Sequence, residues 1–261
     1  MKLIALGLLL LFSSVSGVSY ADAQQASAAY MRHYFVSFLK KPFDEQDSRR
    51  KLLVIGDSHA QDFLNALHEV NALDKVQIST RYVPTRCQLS LSDTQAEHYL
   101  PADRKLCESS DHLSLMQDAI AQADIVVLAS SWQLWSAQQL PQTLKQLALK
   151  PTQQLIVVGR KSFGTVKPAD YADHNAEELR QLRNPVDNNQ VEINETLQRL
   201  LPAQQFIDMQ ATICDASNTC PLFTPDLQLI SFDGGHLTQA GAKFVGEQLL
   251  KNPLVQALRV E

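Results

Sequence analysis

A three-layer α/β/α sandwich on a mostly parallel sheet of about five strands is predicted by three features of the 261-residue sequence. Short, near-continuous apolar runs recur along the chain, as in strands buried on both faces. Each is followed by a stretch compatible with a helix, and strands alternating with helices favour parallel pairing. No low-complexity or Gly/Ser-rich run interrupts the alternation, so a single domain over residues 24–261 accounts for it.

The elements follow in order. Residues 26 to 39 carry Tyr30, Tyr34 and Phe38 at spacings of four, the packing stripe of an N-terminal helix. Lys51 to Ile55 is an apolar run ended by Gly56 and predicts the first strand, with a helix from Gln61 to Ala72. Val76 to Val83, Ile125 to Ala129, Gln154 to Gly159 and Gln205 to Met209 read as further strands. Leu113 to Ala123, Ala137 to Leu149, Val191 to Leu201 and Gln239 to Lys251 read as helices. Residues 84–110 and 160–186, rich in polar residues and prolines, read as irregular.

Lys2, an apolar run from Leu3 to Phe12 and small residues up to Ala21-Asp22-Ala23 form a secretory signal pattern over residues 1–23, with cleavage expected after Ala23. The protein is therefore expected outside the cytoplasm, periplasmic or secreted. The stretch from Leu3 to Val18 is just under spanning length, which makes an uncleaved anchor the rival reading. A net charge of -5 leaves no basic footprint and excludes a nucleic-acid role. Cys87, Cys107, Cys214 and Cys220 suggest disulfides in an exported chain. Three connectivities are open; pairing 87 with 107 and 214 with 220 closes the shortest loops, at about 2 to 3 kcal/mol each. A zinc site lacks its usual C-x-x-C or H-E-x-x-H spacing, so no metal is expected.

Ser58, in Gly56-Asp57-Ser58-His59, follows the first predicted strand and precedes a helix. Ligands of open α/β sheets bind at that edge, where helix N-termini present free N–H groups. The serine is thus placed to act as a nucleophile, with backbone donors nearby for an oxyanion. Gly-Asp-Ser arises by chance in roughly one chain in fifteen of this length, so its weight depends on a second element. Asp233 and His236 lie in one short loop before a helix capped by Thr238. A hydroxyl nucleophile needs a base, and the base needs a group that fixes its tautomer. His236 and Asp233 have those two chemistries. His59 is a candidate to line the site, and Trp132 and Trp135 to stack on a sugar face, with packing the alternative. Asp57 suits a hydrogen-bonding role towards loop N–H groups, while His33, His68, His98, His112 and His174 are scattered.

The two blocks resemble the SGNH (GDSL-like) hydrolase superfamily, with a flavodoxin-like fold, over about residues 51 to 251. More narrowly they resemble the SGNH domain of acyltransferase-3-type polysaccharide O-acyltransferases. The residues that carry the likeness are Gly-Asp-Ser-His-Ala at 56–60, Val-Leu-Ala-Ser-Ser-Trp at 127–132, the cysteines at 214 and 220, and Asp-Gly-Gly-His-Leu-Thr at 233–238. The resemblance implies a Ser58–His236–Asp233 triad and no cofactor. It also implies an acylated or acyl-accepting glycan as substrate and a membrane acyltransferase-3-type protein as acyl donor. The superfamily's oxyanion asparagine has no counterpart; Ala129-Ser130-Ser131-Trp132 stands there, leaving the Ser58 N–H and the Ser131 side chain as candidate donors. Ser58 thus points to an exported enzyme that transfers or hydrolyses O-acetyl or other O-acyl groups. The alternatives are a non-catalytic glycan-binding or assembly protein of the same fold, and a lipid esterase or thioesterase. An α/β-hydrolase reading of Gly56–Ala60 fits poorly, because the serine follows the first strand and the acid sits three residues from the histidine.

Overall fold

The computed structural model describes residues 20–91 and 95–260. Among these, seven strands are present: β1 (Arg50–Gly56), β2 (Val76–Tyr82), β3 (Ile125–Ala129), β4 (Gln154–Val158), β5 (Arg183–Pro185), β6 (Phe206–Ile207) and β7 (Thr219–Pro221). Ten α-helices accompany them: α1 (Tyr20–Ser37), α2 (Ser58–Glu69), α3 (Arg104–Ser109), α4 (Gln117–Gln122), α5 (Leu134–Leu147), α6 (Ala176–Gln181), α7 (Asn188–Leu200), α8 (Met209–Ile213), α9 (Gln239–Leu249) and α10 (Pro253–Leu258). The expected signal segment lies outside the described residues up to 19, and its cleavage point after Ala23 falls within α1.

The main sheet has five strands in the order β2-β1-β3-β4-β6, all parallel, as the apolar runs predict. Successive side chains on a strand point to opposite faces, and β1 divides accordingly. Leu52 and Val54 pack under α1, α2, α9 and α10 with Phe35, Phe63, Val245 and Leu258. Leu53 and Ile55 pack on the other face with Ile120 of α4, Leu140 of α5 and Ile193 of α7. The result is a three-layer sandwich whose β1 is buried on both sides.

Several element limits differ from expectation for local reasons. The first crossover helix begins at Ser58, three residues before Gln61, because the Asp57 side chain caps it by accepting the His59 N–H at 2.9 Å. The last strand of the sheet shrinks to Phe206–Ile207, since Asp208 leaves it to cap α8. Leu113 to Ala123 divides into a 3-10 turn (Leu113–Met116) and α4. The irregular stretches contain α3, α6 and β5, which pairs antiparallel with β7. Both short-loop disulfides form, Cys87–Cys107 and Cys214–Cys220. The aromatic stripe of α1 packs on the core beside α2, with Tyr34 stacked on His68 at 3.8 Å and Tyr30 donating to Glu69 at 2.9 Å.

Candidate active site

At the carboxyl edge of the sheet β1 ends in Gly56, and its tight exit is set by β3. A Cβ on Gly56 would stand 1.7 Å from the Ala129 carbonyl oxygen, so only glycine lets the two strand ends close here. Asp57 then turns the chain. Its fully buried carboxylate accepts the His59 N–H, the Ser130 hydroxyl at 2.8 Å and the Ser131 N–H at 2.9 Å, tying the start of α2 to the end of β3. Ser58 is the first residue of α2, where its N–H has no intrahelical acceptor.

The second element is the loop before α9. Asp233 folds it by accepting the N–H groups of Gly235 and His236, each at 2.8 Å, through Oδ1. Its Oδ2 stands 2.6 Å from His236 Nδ1, and His236 Nε2 stands 3.0 Å from Ser58 Oγ. Carboxylate, imidazole and hydroxyl therefore lie in series. Burial disfavours the charge on Asp233, but the hydrogen bonds from the His236 ring and from the His236 and Gly235 N–H groups prevail and hold its carboxyl at about 2. Gly234, with φ +88, presses against the Gly164 carbonyl so closely that a Cβ would lie 1.9 Å from it.

A buried ion pair fixes this loop from below. Asp62 of α2 and Lys161, just past β4, are both without exposed side-chain surface and meet at 2.6 Å. Lys161 Nζ donates to the Gly235 carbonyl at 2.5 Å, and Asp62 accepts the Leu237 N–H at 3.3 Å. The pair thus holds the backbone on both sides of His236. Sequence reasoning missed it, since Asp62 reads as the polar side of a helix and Lys161 as part of an irregular loop. The position of Lys161 beyond a strand's carboxyl end was the available signal.

Ser58 and His236 open onto a polar cavity of about 380 Å³ whose walls include His59, Thr85, Ser131, Arg160, Lys161 and Asp233. Ser131 is half-buried there; its N–H is held by Asp57, which leaves its hydroxyl as the group free to face a ligand. His59 is 6% exposed, and burial followed by the charges of Lys161, Arg160 and His236 holds its pKa well below the usual histidine value, so its ring is neutral. Arg160 Nη1 grips the Trp132 carbonyl at 2.9 Å. Trp132 itself corrects an expectation: it is fully buried, with its indole N–H on the Val158 carbonyl at 2.8 Å, and cannot stack on a ligand. An apolar ring following a strand of the central sheet is drawn into the core. Trp135 is half-buried and stacks on His98 at 4.2 Å. Among the described residues, no group of three or more His, Cys, Asp or Glu side chains could hold a metal ion.

A hydroxyl, an imidazole and a carboxylate in series at the carboxyl edge of a parallel α/β sheet have the chemistry that nucleophilic attack on an acyl ester needs. The family model described as SGNH domain (fused to AT3 domains) matches residues 26–251, and the chain belongs to that family. Membership of that family makes it an SGNH-type esterase or O-acyltransferase. Among solved structures it is similar to the periplasmic domain of a Salmonella ser. Paratyphi A lipopolysaccharide acetyltransferase. That likeness has a TM-score of 0.59 at 16% identity, over 91% of this chain and 97% of that one. A putative platelet activating factor from Streptococcus pneumonia has a TM-score of 0.44 at 12% identity, over 88% of this chain and 93% of that one. The C-terminal catalytic domain of Streptococcus pneumoniae peptidoglycan O-acetyltransferase A has a TM-score of 0.40 at 13% identity, over 80% of this chain and 94% of that one. At these identities the likeness is one of fold. No curated protein matches the sequence.

Proposed function

We propose that the protein is an exported serine enzyme that moves O-acetyl or other O-acyl groups on a cell-envelope or secreted glycan through Ser58, His236 and Asp233. The observation that carries the reading is the contact series Asp233 Oδ2–His236 Nδ1 at 2.6 Å and His236 Nε2–Ser58 Oγ at 3.0 Å. Within hydrogen-bond reach, the neutral imidazole can take the hydroxyl proton as Ser58 Oγ attacks the ester carbonyl carbon. The charge that forms on the carbonyl oxygen faces the Ser58 N–H and the Ser131 hydroxyl. When the tetrahedral species collapses, the carbon–oxygen bond to the leaving alcohol breaks, and His236 returns the proton to that alcohol. Water or a sugar hydroxyl then attacks the acyl-serine, giving its proton to His236, and Ser58 recovers the proton on release. Asp233 keeps Nδ1–H pointing towards itself, and so Nε2 towards Ser58.

Export is supported by the N-terminal pattern of residues 1–23 and by two disulfides, which persist in oxidising compartments. The glycan class is supported by the lipopolysaccharide acetyltransferase domain similar to this chain. A membrane acyltransferase-3-type donor is supported by the family's fusion to AT3 domains. Turnover of p-nitrophenyl acetate by residues 24–261 tests the core of this reading. Ser58→Ala is expected to lower kcat by at least about 10³-fold, and equal rates for the two proteins would refute it. Adding an oligosaccharide and finding acetylated sugar separates transfer from hydrolysis.

A further inference from the structure

Ser58 and His236 also border a second cavity, whose other walls differ from those of the polar one. It holds about 520 Å³ between α1 and the end of β2, and its walls include Met31, Phe35, Val36, Leu39 and Tyr82. Val36, Leu39 and Tyr82 are 53%, 40% and 40% exposed, an unusual concentration of large apolar side chains left in water beside a nucleophile. The charged residue of this lining, Arg32, is exposed.

The two cavities meet at the serine, and that junction constrains what enters each. Besides its own oxygen, the carbon bonded to Ser58 Oγ carries the acyl chain and the departing or attacking oxygen, and these two must divide between the two cavities. Hydrocarbon in the polar cavity would strip water from Arg160 and Asp233 without replacing its hydrogen bonds. Sugar hydroxyls suit those groups. Hydrocarbon against Met31, Val36 and Leu39 gains by burial on both partners. From this division we propose that the cleft between α1 and β2 is the acyl-chain subsite, and that it takes acyl groups longer than acetyl. The proposal rests on Ser58 as nucleophile and names the acyl class that the serine receives.

The test is a series of p-nitrophenyl esters, acetyl, butyryl and hexanoyl, with kcat/KM measured for the wild type, Val36→Asp and Ser58→Ala. Each methylene buried in the cleft is expected to raise wild-type kcat/KM by about two- to fourfold. The hexanoyl-to-acetyl ratio should therefore exceed about 10, and in Val36→Asp it should collapse towards one, whatever the change in absolute rate. A wild-type ratio below about 10, with acetyl turnover intact, overturns the subsite while leaving the nucleophile in place. A high ratio unaltered in Val36→Asp overturns it too, because the chain then lies elsewhere. If no ester is turned over faster than by Ser58→Ala, the nucleophile reading fails and the subsite with it.

Discussion

Replacing Lys161 by Met removes the cation from a pair in which neither side chain reaches solvent. Asp62 would then be a buried carboxylate with its Leu237 N–H contact and no counter-charge. Breaking such a pair on one side costs about 3 to 5 kcal/mol, and full burial removes any reason to discount that figure for screening. Burial already pushes the Asp62 carboxyl up against the pull of Lys161, so without the lysine it should take up a proton more readily. A raised folded-state pKa favours the folded form at low pH and ceases to do so as pH rises, so the Lys161→Met deficit should shrink from pH 7 to pH 5. Lys161→Met with Asp62→Leu should recover most of the stability, since apolar replacement of a buried pair is often neutral. Ester turnover should not recover. Gly235 and Leu237 would have lost the partners that set His236 against Ser58, and a displacement of 1 Å can cost about 10²-fold. Guanidinium denaturation followed by circular dichroism, with p-nitrophenyl ester kinetics on the same samples, reads both quantities. A Lys161→Met loss below about 1 kcal/mol, or a double variant with wild-type turnover, would refute the reasoning.

Gly56→Ala puts a methyl 1.7 Å from the Ala129 oxygen where β1 and β3 end side by side; a loss above about 4 kcal/mol or failure to fold is expected, and a Tm near wild type would contradict the close approach. For Asp233, the drop from 3.8 to about 2 is worth at most about 2.5 kcal/mol, and its one-third exposure reduces this to roughly 1. The carboxyl is depressed when folded, so its contribution is complete above about pH 4 and fades as pH falls towards 2; Asp47 and Asp215 are depressed as well, so both proteins should lose stability over that interval, and Asp233→Asn should lose roughly 1 kcal/mol less than wild type, by acid titration of circular dichroism. Replacing Cys87 and Cys107 by Ala opens a loop with a sequence separation of 20 and should cost about 3 kcal/mol in denaturant unfolding, against about 2 for Cys214 and Cys220 with a separation of 6. Equal and negligible losses for both pairs would count against loop closure as their contribution.

Strands β1, β3 and β4 were legible because burial on both faces leaves a continuous apolar run, whereas the edge strand β2 shows instead the alternation Val76-Gln77-Ile78-Ser79. The serine, histidine and aspartate were legible as candidates because each stands in a short polar loop beside a helix start, and the structure brings them within hydrogen-bond distance. What escaped depends on contacts distant in sequence. The β5–β7 ribbon is built from Arg183–Pro185 and Thr219–Pro221, polar and proline-bearing segments with no apolar alternation to betray them. Asp57 could be assigned to loop N–H groups, but its hold on Ser130 and Ser131 exists only once β1 and β3 are neighbours. Trp132 was misjudged for the same reason: nothing local distinguishes a ring beyond a strand that faces a ligand from one turned under the sheet.

One rod of the structure sets both sides of the reactive gap. Ser58 and Asp62 are four residues apart on α2, one helical turn, and so lie on the same side of it. Asp62 reaches the residue next to His236, so the separation between imidazole and hydroxyl is measured off the pitch of a helix and not off the slack of a loop. Insertions in the surface stretches 96–102 or 167–181 can therefore vary around the site without retuning it, provided Lys161 and Gly164 keep their places. A hinge inserted within that one turn would detune it at once.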